Sequence, residues 1–99
     1  MNNYIPKNLP NLSGRDLRGI NFSGLNLCGA DLEGTIFVGA NLSGAWLCGA
    51  NLQGANLQDA DLTGADLTSA NLAGANLTRT LLGGALTNGT SFKNVDWGI

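Results

Sequence analysis

Apolar residues return at every fifth position of this chain. Leucine or phenylalanine fills fifteen successive positions of this register, from Leu12 to Leu82, and Thr87, Phe92 and Trp97 continue it. A period of five matches neither the 3.6-residue period of an α-helix nor the two-residue period of a flat strand. The pattern therefore indicates an internal repeat, and this repeat determines the architecture before any single element is considered.

Each repeat is a five-residue unit with a recognisable consensus. Eighteen units run from Pro10 to Ile99. The first slot is Ala in ten units, the second is Asn in eight and Asp in five, and the third is Leu in thirteen. The fourth slot is variable and mostly polar, and the fifth is Gly in thirteen. The consensus is therefore Ala-(Asn/Asp)-Leu-x-Gly.

The consensus predicts a short straight side followed by a corner. The first three slots alternate inward, outward and inward, as residues of a β-strand do. Glycine in the fifth slot supplies the positive φ that the second central position of a type II turn requires. A chain of such sides coils on itself and pairs each turn with the next, giving a parallel β-solenoid. Where glycine is missing from this slot we expect other turn types; these corners are Asp59, Ser69, Arg79 and Asn94.

The repeat resembles that of the pentapeptide-repeat family, whose motif is written A-(D/N)-L-x-x. The resemblance extends from Pro10 to Ile99. It implies an all-β fold, a right-handed quadrilateral parallel β-helix with about 4.5 coils of about 20 residues. Residues 1–9 are out of register and are predicted to form an N-terminal arm or cap, so the β-helix is assigned to residues 10–99.

Composition and motifs argue against an enzyme. The chain has 99 residues, enough for one domain, with a net charge of −2, 12% charged residues and no histidine. There is no phosphate-binding loop, no dinucleotide fingerprint and no nucleophile–base pair, so we expect no catalysis, no cofactor, no metal and no small-molecule substrate. The start of the chain lacks the apolar run of a signal peptide, and Asn or Asp interrupts every apolar stretch. We expect a cytoplasmic protein without a membrane or nucleic-acid partner.

Cys28 and Cys48 are twenty residues apart in the same fourth slot. In a four-sided helix they stack one coil apart on the outer surface, at a Cα separation that suits a disulfide. A cytoplasmic location favours two free surface thiols over a redox-linked pair. A metal site is the least favoured reading, because two thiols without histidine or a further cysteine do not complete a ligand set.

Three apolar residues, Ile36, Val38 and Trp46, occupy outward slots in which the consensus is polar. We expect them on adjacent sides of one coil, with both cysteines beside Trp46. Exposed apolar clusters of this kind often mark contacts, so they are candidates for a partner or dimer surface. The alternative is that the N-terminal arm folds back and covers them with Tyr4, Ile5 and Leu9.

The repeat loosens after Arg79. Leu81 and Leu86 occupy the outward second slot, and Thr87 occupies a core slot. The residues predicted to form a second candidate surface at this end are Phe92, Val95, Trp97 and Ile99. We expect this end to dock on a two-fold copy of the chain, or on a second repeat protein that continues the coil. The alternative is that Phe92 and Trp97 close the last layer themselves.

Acidic rods of this family can resemble DNA in shape and charge and inhibit or protect DNA gyrase. Asp59, Asp61 and Asp66 are predicted to lie around one corner of the third coil. Duplex DNA carries one charge per about 1.7 Å, whereas this chain has seven carboxylates against five basic residues. A solvated face is the favoured reading. The sequence therefore predicts a non-enzymatic scaffold or protein-interaction module, with a topoisomerase-directed DNA mimic as the alternative.

Overall fold

The computed structural model describes residues 11–99, which form parallel coils. The predicted arm, residues 1–9, and Pro10 lie outside the described residues. Isolated one-residue parallel bridges join the second slot of each unit to the second slot twenty positions later, from Asp16–Ile36 to Asn76–Asp96. The described part contains no α-helix and no longer strand. Because each unit has five residues, a twenty-residue pairing gives each coil four sides.

The bridges sort the second-slot residues into four columns, which we call sides 1 to 4. Side 1 carries Asp16, Ile36, Asn56, Asn76 and Asp96. Side 2 carries Asn21, Asn41, Asp61 and Leu81. Side 3 carries Asn26, Trp46, Asp66 and Leu86. Side 4 carries Asp31, Asn51, Asn71 and Ser91. Each Asp in these columns is paired with a residue other than Asp, so no two of these carboxylates are stacked in the described chain.

The first and third slots form the core of the rod. Alanine and leucine of these slots are buried from Leu27 to Leu77, and Leu52 and Ala55 are fully inaccessible. This burial follows from strand alternation, because the first and third residues of a unit point to the same face. Near the beginning of the described chain, Phe22 and Phe37 pack edge to face with ring centroids 6.3 Å apart.

Backbone hydrogen bonds join neighbouring coils at three points in each unit. Leu52 N–H donates to the carbonyl of Asn71 at 2.7 Å, and Gly54 N–H donates to the carbonyl of Ala73 at 2.9 Å. Asn71 N–H donates back to the carbonyl of Ala50 at 3.0 Å. A ladder repeated on all four sides satisfies the backbone without long strands.

Threonine replaces alanine in the first slot at three positions and adds a bond to the ladder. The Thr35 hydroxyl, fully buried, donates to the carbonyl of Leu12 at 3.1 Å. The same bond joins Thr80 to Leu57 at 2.7 Å and Thr90 to Leu67 at 2.6 Å. A buried hydroxyl without a partner is costly, so this bond explains how the core admits a polar group.

The corners are type II turns at glycine and non-glycine positions alike. Ala55 N–H donates to the carbonyl of Leu52 at 3.0 Å around Gly54, whose φ is 68°. Among the described residues, positive φ is confined to the fifth slot apart from Gly98. The φ values at the four non-glycine corners are 61° at Asp59, 60° at Ser69, 54° at Arg79 and 57° at Asn94.

The prediction of other turn types at these four corners is therefore wrong. The reason is that neighbouring coils hold the corner in place: Asp59 N–H donates to the carbonyl of Thr78 at 3.0 Å, and Ser69 N–H donates to that of Asn88 at 2.9 Å. A left-handed conformation costs an L-residue about 1–2 kcal/mol. A different turn would break ladder bonds on both sides of the corner, so the ladder decides its geometry.

Candidate functional site

The polar second slot has a local task that the sequence analysis missed. All thirteen Asn and Asp residues of this slot accept a hydrogen bond from the backbone N–H two residues later. Asn51 Oδ1, for example, accepts from Gln53 N–H at 3.1 Å. Asn and Asp are known for this turn-forming bond, and their spacing to the corner could have revealed it. Units without Asn or Asp in this slot give up the bond and present another side chain outward.

Ile36 and Trp46 do not share a surface. Ile36 lies on side 1, Trp46 lies on side 3, and Asn41 on side 2 separates them. The prediction of adjacent sides is wrong because two five-residue units make half a coil, which places the two residues on opposite sides. Ile36 and Val38 are half-buried, whereas Trp46 keeps 42% of its surface exposed. The arm predicted to cover these residues lies outside the described part of the chain.

Side 3 contains an open groove of about 400 Å³. Its lining comprises Cys28, Gly44, Trp46, Cys48, Gly64, Asp66 and Leu86. Leu86 is 55% exposed, so two large apolar side chains stand one coil below and one coil above Asp66. The Asp66 carboxylate accepts from Thr68 N–H at 3.0 Å. Hydrogen bonds from the side chain and then the backbone of Thr68 lower the pKa of Asp66, so it is ionised at neutral pH.

Cys28 and Cys48 form a disulfide that makes one wall of this groove. Their Cα atoms are 4.6 Å apart, within the range that a disulfide accepts, as the spacing predicted. The prediction that both thiols are free is wrong, since neither cysteine is free in the structure. Stacking in one corner column brings the two Sγ atoms within bonding reach. No cluster of three or more potential metal-binding Cys, Asp or Glu side chains occurs among residues 11–99.

The residues predicted for the C-terminal surface lie at the last coil of the rod. Phe92 and Val95 are half-buried against the core, while Trp97 is 47% exposed and Ile99 is fully exposed. The rings of Phe92 and Trp97 are 5.7 Å apart between centroids and tilted by 33°. Phe92 thus closes part of the last layer, and Trp97 covers it from outside.

The last coil also presents an open ladder edge. In earlier coils the third-slot N–H donates to the following coil, as Leu77 does to the carbonyl of Asp96 at 2.7 Å. The N–H groups of Leu82, Thr87 and Phe92 have no backbone hydrogen bond to a residue of the described chain. The opposite edge of the same coil is paired, since Leu81 N–H donates to the carbonyl of Ala60 at 3.0 Å.

The predicted acidic corner is dispersed and partly neutralised. Asp59 lies at a corner and pairs with Arg79, whose Nε is 2.7 Å from its Oδ1. Asp61 and Asp66 lie on sides 2 and 3, and each bonds to a nearby threonine. These three carboxylates therefore do not form one continuous negative surface.

Comparison with known proteins agrees with this geometry. A profile of the family described as pentapeptide repeats matches eight copies, over residues 16–54 and 47–84. No curated protein matches the chain. No helix long and apolar enough to cross a membrane is found among residues 11–99.

Solved structures resemble the chain along much of its length. The pentapeptide repeat protein alr5209 from Nostoc PCC 7120 is 41% identical, with a TM-score of 0.76; the match covers 77% of this chain and 63% of that one. HetL, a pentapeptide repeat protein of the same cyanobacterium involved in heterocyst differentiation regulation, is 36% identical, with a TM-score of 0.59. That match covers 81% of this chain and 39% of HetL. The chain thus spans less than two thirds of either relative.

Proposed function

The chain belongs to the pentapeptide-repeat family, whose members fold as right-handed quadrilateral β-helices, and from this premise we propose a non-enzymatic scaffold that binds a protein partner at the C-terminal end of the rod. Family members are generally structural or interaction modules. The proposal includes the finer architecture: about 4.5 coils of about 20 residues over residues 10–99, preceded by the arm.

The observation that carries this proposal is the open edge of the last coil. The N–H groups of Leu82, Thr87 and Phe92 have no backbone partner among residues 11–99, and the same coil carries the exposed side chains of Trp97 and Ile99. An unpaired ladder edge is a template for another chain, and solenoids commonly cover their ends. Backbone donors and apolar contacts together favour a protein partner over a small molecule.

The first partner we propose is a second copy of the same chain, related by a two-fold axis. A two-fold contact brings the same patch of each copy together, so Trp97 of one copy would pack near its equivalent. The next partner is a second repeat protein that continues the coil. Either partner would accept hydrogen bonds from the same backbone N–H groups. Only the first partner predicts that the chain associates with itself and that this association depends on Trp97.

Light scattering of the purified chain over a wide concentration range tests the proposal. We expect a dimer at high concentration and a shift toward monomer in Trp97→Ala. Trp46→Ala is the matched control, because it removes the same side chain from side 3 and leaves the end intact. If the chain stays strictly monomeric, the two-fold proposal is wrong. Hydrogen exchange tests the other partner. If the Leu82, Thr87 and Phe92 amides also stay unprotected from exchange when a second repeat protein is present, end docking as a whole is wrong.

The proposed location is the cytoplasm, and the disulfide gives this proposal a chemical consequence. Disulfides persist in oxidising compartments and are rare where thiols are kept reduced. We therefore propose Cys28 and Cys48 as a redox-linked pair, open in the reduced cell and closed under oxidation. Thiol labelling in intact cells, before and after an oxidant, tests this: labelling that never changes contradicts it.

The alternative function, a DNA mimic acting on a type II topoisomerase, receives less support. It requires a dense negative surface, whereas Asp59 pairs with Arg79 and Asp16 pairs with Arg18. A gyrase supercoiling assay separates the two functions. We expect no inhibition or protection at micromolar excess of the protein, and a clear effect would favour the mimic.

A further inference from the structure

Side 3 differs from the other three sides in its outward residues. Trp46 and Leu86 replace the consensus Asn or Asp one coil below and one coil above Asp66, and 42% and 55% of their surfaces are exposed. Side 2 offers a comparison, because its corresponding column reads Asn41, Asp61 and Leu81. Sides 2 and 3 thus both carry an Asp followed, one coil later, by an exposed Leu. Only side 3 has an apolar residue, Trp46, one coil before the Asp, which completes an apolar–acidic–apolar column.

The lining of the groove leaves space for a partner. Gly44 and Gly64 are corner residues in this lining, and a Cβ built on either would meet no atom within 4 Å. In the oxidised chain, the Cys28–Cys48 disulfide forms a wall that is fixed covalently across two coils. A groove with one covalently fixed wall requires little reorganisation when a partner binds, which favours affinity.

The charge of Asp66 is uncompensated. The two ion pairs of the described chain are Asp16–Arg18 and Asp59–Arg79, so Asp66 has no cationic partner among residues 11–99. It is also the only charged residue of the four units that form side 3, residues 25–29, 45–49, 65–69 and 85–89. Complementarity therefore calls for a cation directly between two apolar groups.

The spacing of the column selects the secondary structure of the partner. On this side one coil rises by 4.6 Å, the Cα separation of Cys28 and Cys48. One turn of an α-helix rises by about 5.4 Å, so residues on one helical face recur at nearly the same spacing. Side chains on one face of an extended strand recur at about 6.7 Å and lose register over two coils.

From these features we propose that the groove of side 3 binds an amphipathic helix of a partner protein. The helix lies along the rod and presents an apolar residue to Trp46, a lysine or arginine to Asp66, and an apolar residue to Leu86. These three positions follow the i, i+4, i+7 pattern of helix-in-groove recognition. The site is lateral and shares no residue with the open edge. The test of helix binding is therefore independent of the test of end docking.

The test uses a defined peptide and the full chain. The probe is an alanine-rich helix of about 16 residues, long enough to be helical in water, with Leu, Arg and Leu at i, i+4 and i+7. Binding is followed by Trp46 fluorescence in a Trp97→Phe background, and by calorimetry. We expect saturable binding below about 1 mM, and binding at least about twofold weaker when Glu replaces the Arg of the probe.

Matched variants locate the site. Trp46→Asn restores the consensus residue and therefore keeps the fold, and we expect it to weaken binding by about tenfold or more. Asp66→Lys should reverse the preference, so that the Glu peptide binds more tightly than the Arg peptide. The controls on side 2, Asp61→Lys and Leu81→Ala, should leave binding unchanged.

Several results would overturn this proposal. One is equal binding of the Arg and Glu peptides by the unmodified chain. Another is binding that persists in Trp46→Asn or moves with the side 2 controls. Self-association that Trp46→Asn abolishes would assign the groove to a second copy of the chain. Peptide binding only after removal of residues 1–9 would assign it to the N-terminal arm.

Discussion

Arg79 binds the carboxylate of Asp59 from one coil away, with Nε 2.7 Å from Oδ1 and Nη2 3.2 Å from Oδ2. Both residues occupy glycine slots and both have positive φ. The pair is largely exposed, with 62% of the Arg79 and 45% of the Asp59 side chain accessible, so it contributes little to stability. The corner is therefore maintained by the backbone ladder and not by the side chains that occupy it.

The first prediction concerns the strain at a corner. Gly54 has a φ of 68°, and a Cβ added there would meet no atom within 4 Å, so Gly54→Ala introduces backbone strain without a clash. We expect the free energy of unfolding to fall by about 1 kcal/mol, since the left-handed penalty outweighs the stabilisation that comes from the lower conformational entropy of the unfolded alanine chain. Urea unfolding, monitored by circular dichroism, measures this change in the free energy of unfolding.

Gly83→Ala is the control for this prediction. Gly83 lies in the fourth slot, has no positive φ and has no atom within 4 Å of an added Cβ. We expect a change within a few tenths of a kcal/mol, or a small gain from the stiffer unfolded chain. Equal losses of unfolding free energy in Gly54→Ala and Gly83→Ala would show that the left-handed corner is not the cause of the destabilisation.

Most of the fold follows from the sequence, for reasons visible in single units. Ala50 to Gly54 already contains an inward–outward–inward side and a left-handed corner. The four-sided coil came from the family resemblance, because a period of five is compatible with other numbers of sides. The turn at Asp59 was mispredicted because local preference is overruled by ladder bonds to the neighbouring coils.

The candidate site could be predicted only in part. The sequence identifies Trp46 and Trp97 as departures from the repeat, and the structure exposes both. The placement of Ile36 beside Trp46 failed, because they are half a coil apart. The Cys28–Cys48 bond could not be decided from the sequence. The twenty-residue spacing predicts that the two cysteines are neighbours, but the cellular compartment determines whether their thiols are oxidised.

The second prediction is a loss of stability in acid. Hydrogen bonds from Thr63 lower the pKa of Asp61, and those from Thr68 lower the pKa of Asp66. A carboxylate whose pKa is lower in the folded chain than in the unfolded chain stabilises the fold above the unfolded pKa of about 3.9. We expect the midpoint of urea unfolding to be constant from neutral pH to about pH 5 and to decrease below about pH 4.

The double variant Asp61→Asn, Asp66→Asn isolates these two groups. Asparagine keeps the oxygen that accepts from the backbone N–H two residues later, as at Asn51, so stability at neutral pH should change little. Its midpoint should fall less steeply in acid than that of the unmodified chain. An identical acid profile for both proteins contradicts the prediction.

The third prediction concerns the disulfide. A bond that closes a twenty-residue separation restricts the unfolded chain, and loops of this size give about 3 kcal/mol in the chain-entropy model. We expect a dithiol reductant to lower the unfolding free energy by about this amount while the circular dichroism spectrum stays the same.

The double variant Cys28→Ser, Cys48→Ser is the control for this measurement. Serine already occupies the same slot at Ser23 and Ser43, so the substitution fits the repeat. The variant should resemble the reduced protein and should not respond to reductant. A reductant that leaves the midpoint of the unmodified chain in place shows that the bond does not contribute to stability.

Amide hydrogen exchange at the last coil tests the proposed end-docking scaffold most directly. Leu82, Thr87 and Phe92 have no backbone partner in the described chain, whereas the N–H groups of Leu81 and Leu86 are paired within the same coil. In the dilute monomer we predict fast exchange at the first three residues and slow exchange at the other two. When the chain dimerises or a second repeat protein binds, the first three should become protected. Exchange at these three residues that is slow in the monomer, or that stays fast in every assembly, would contradict the account.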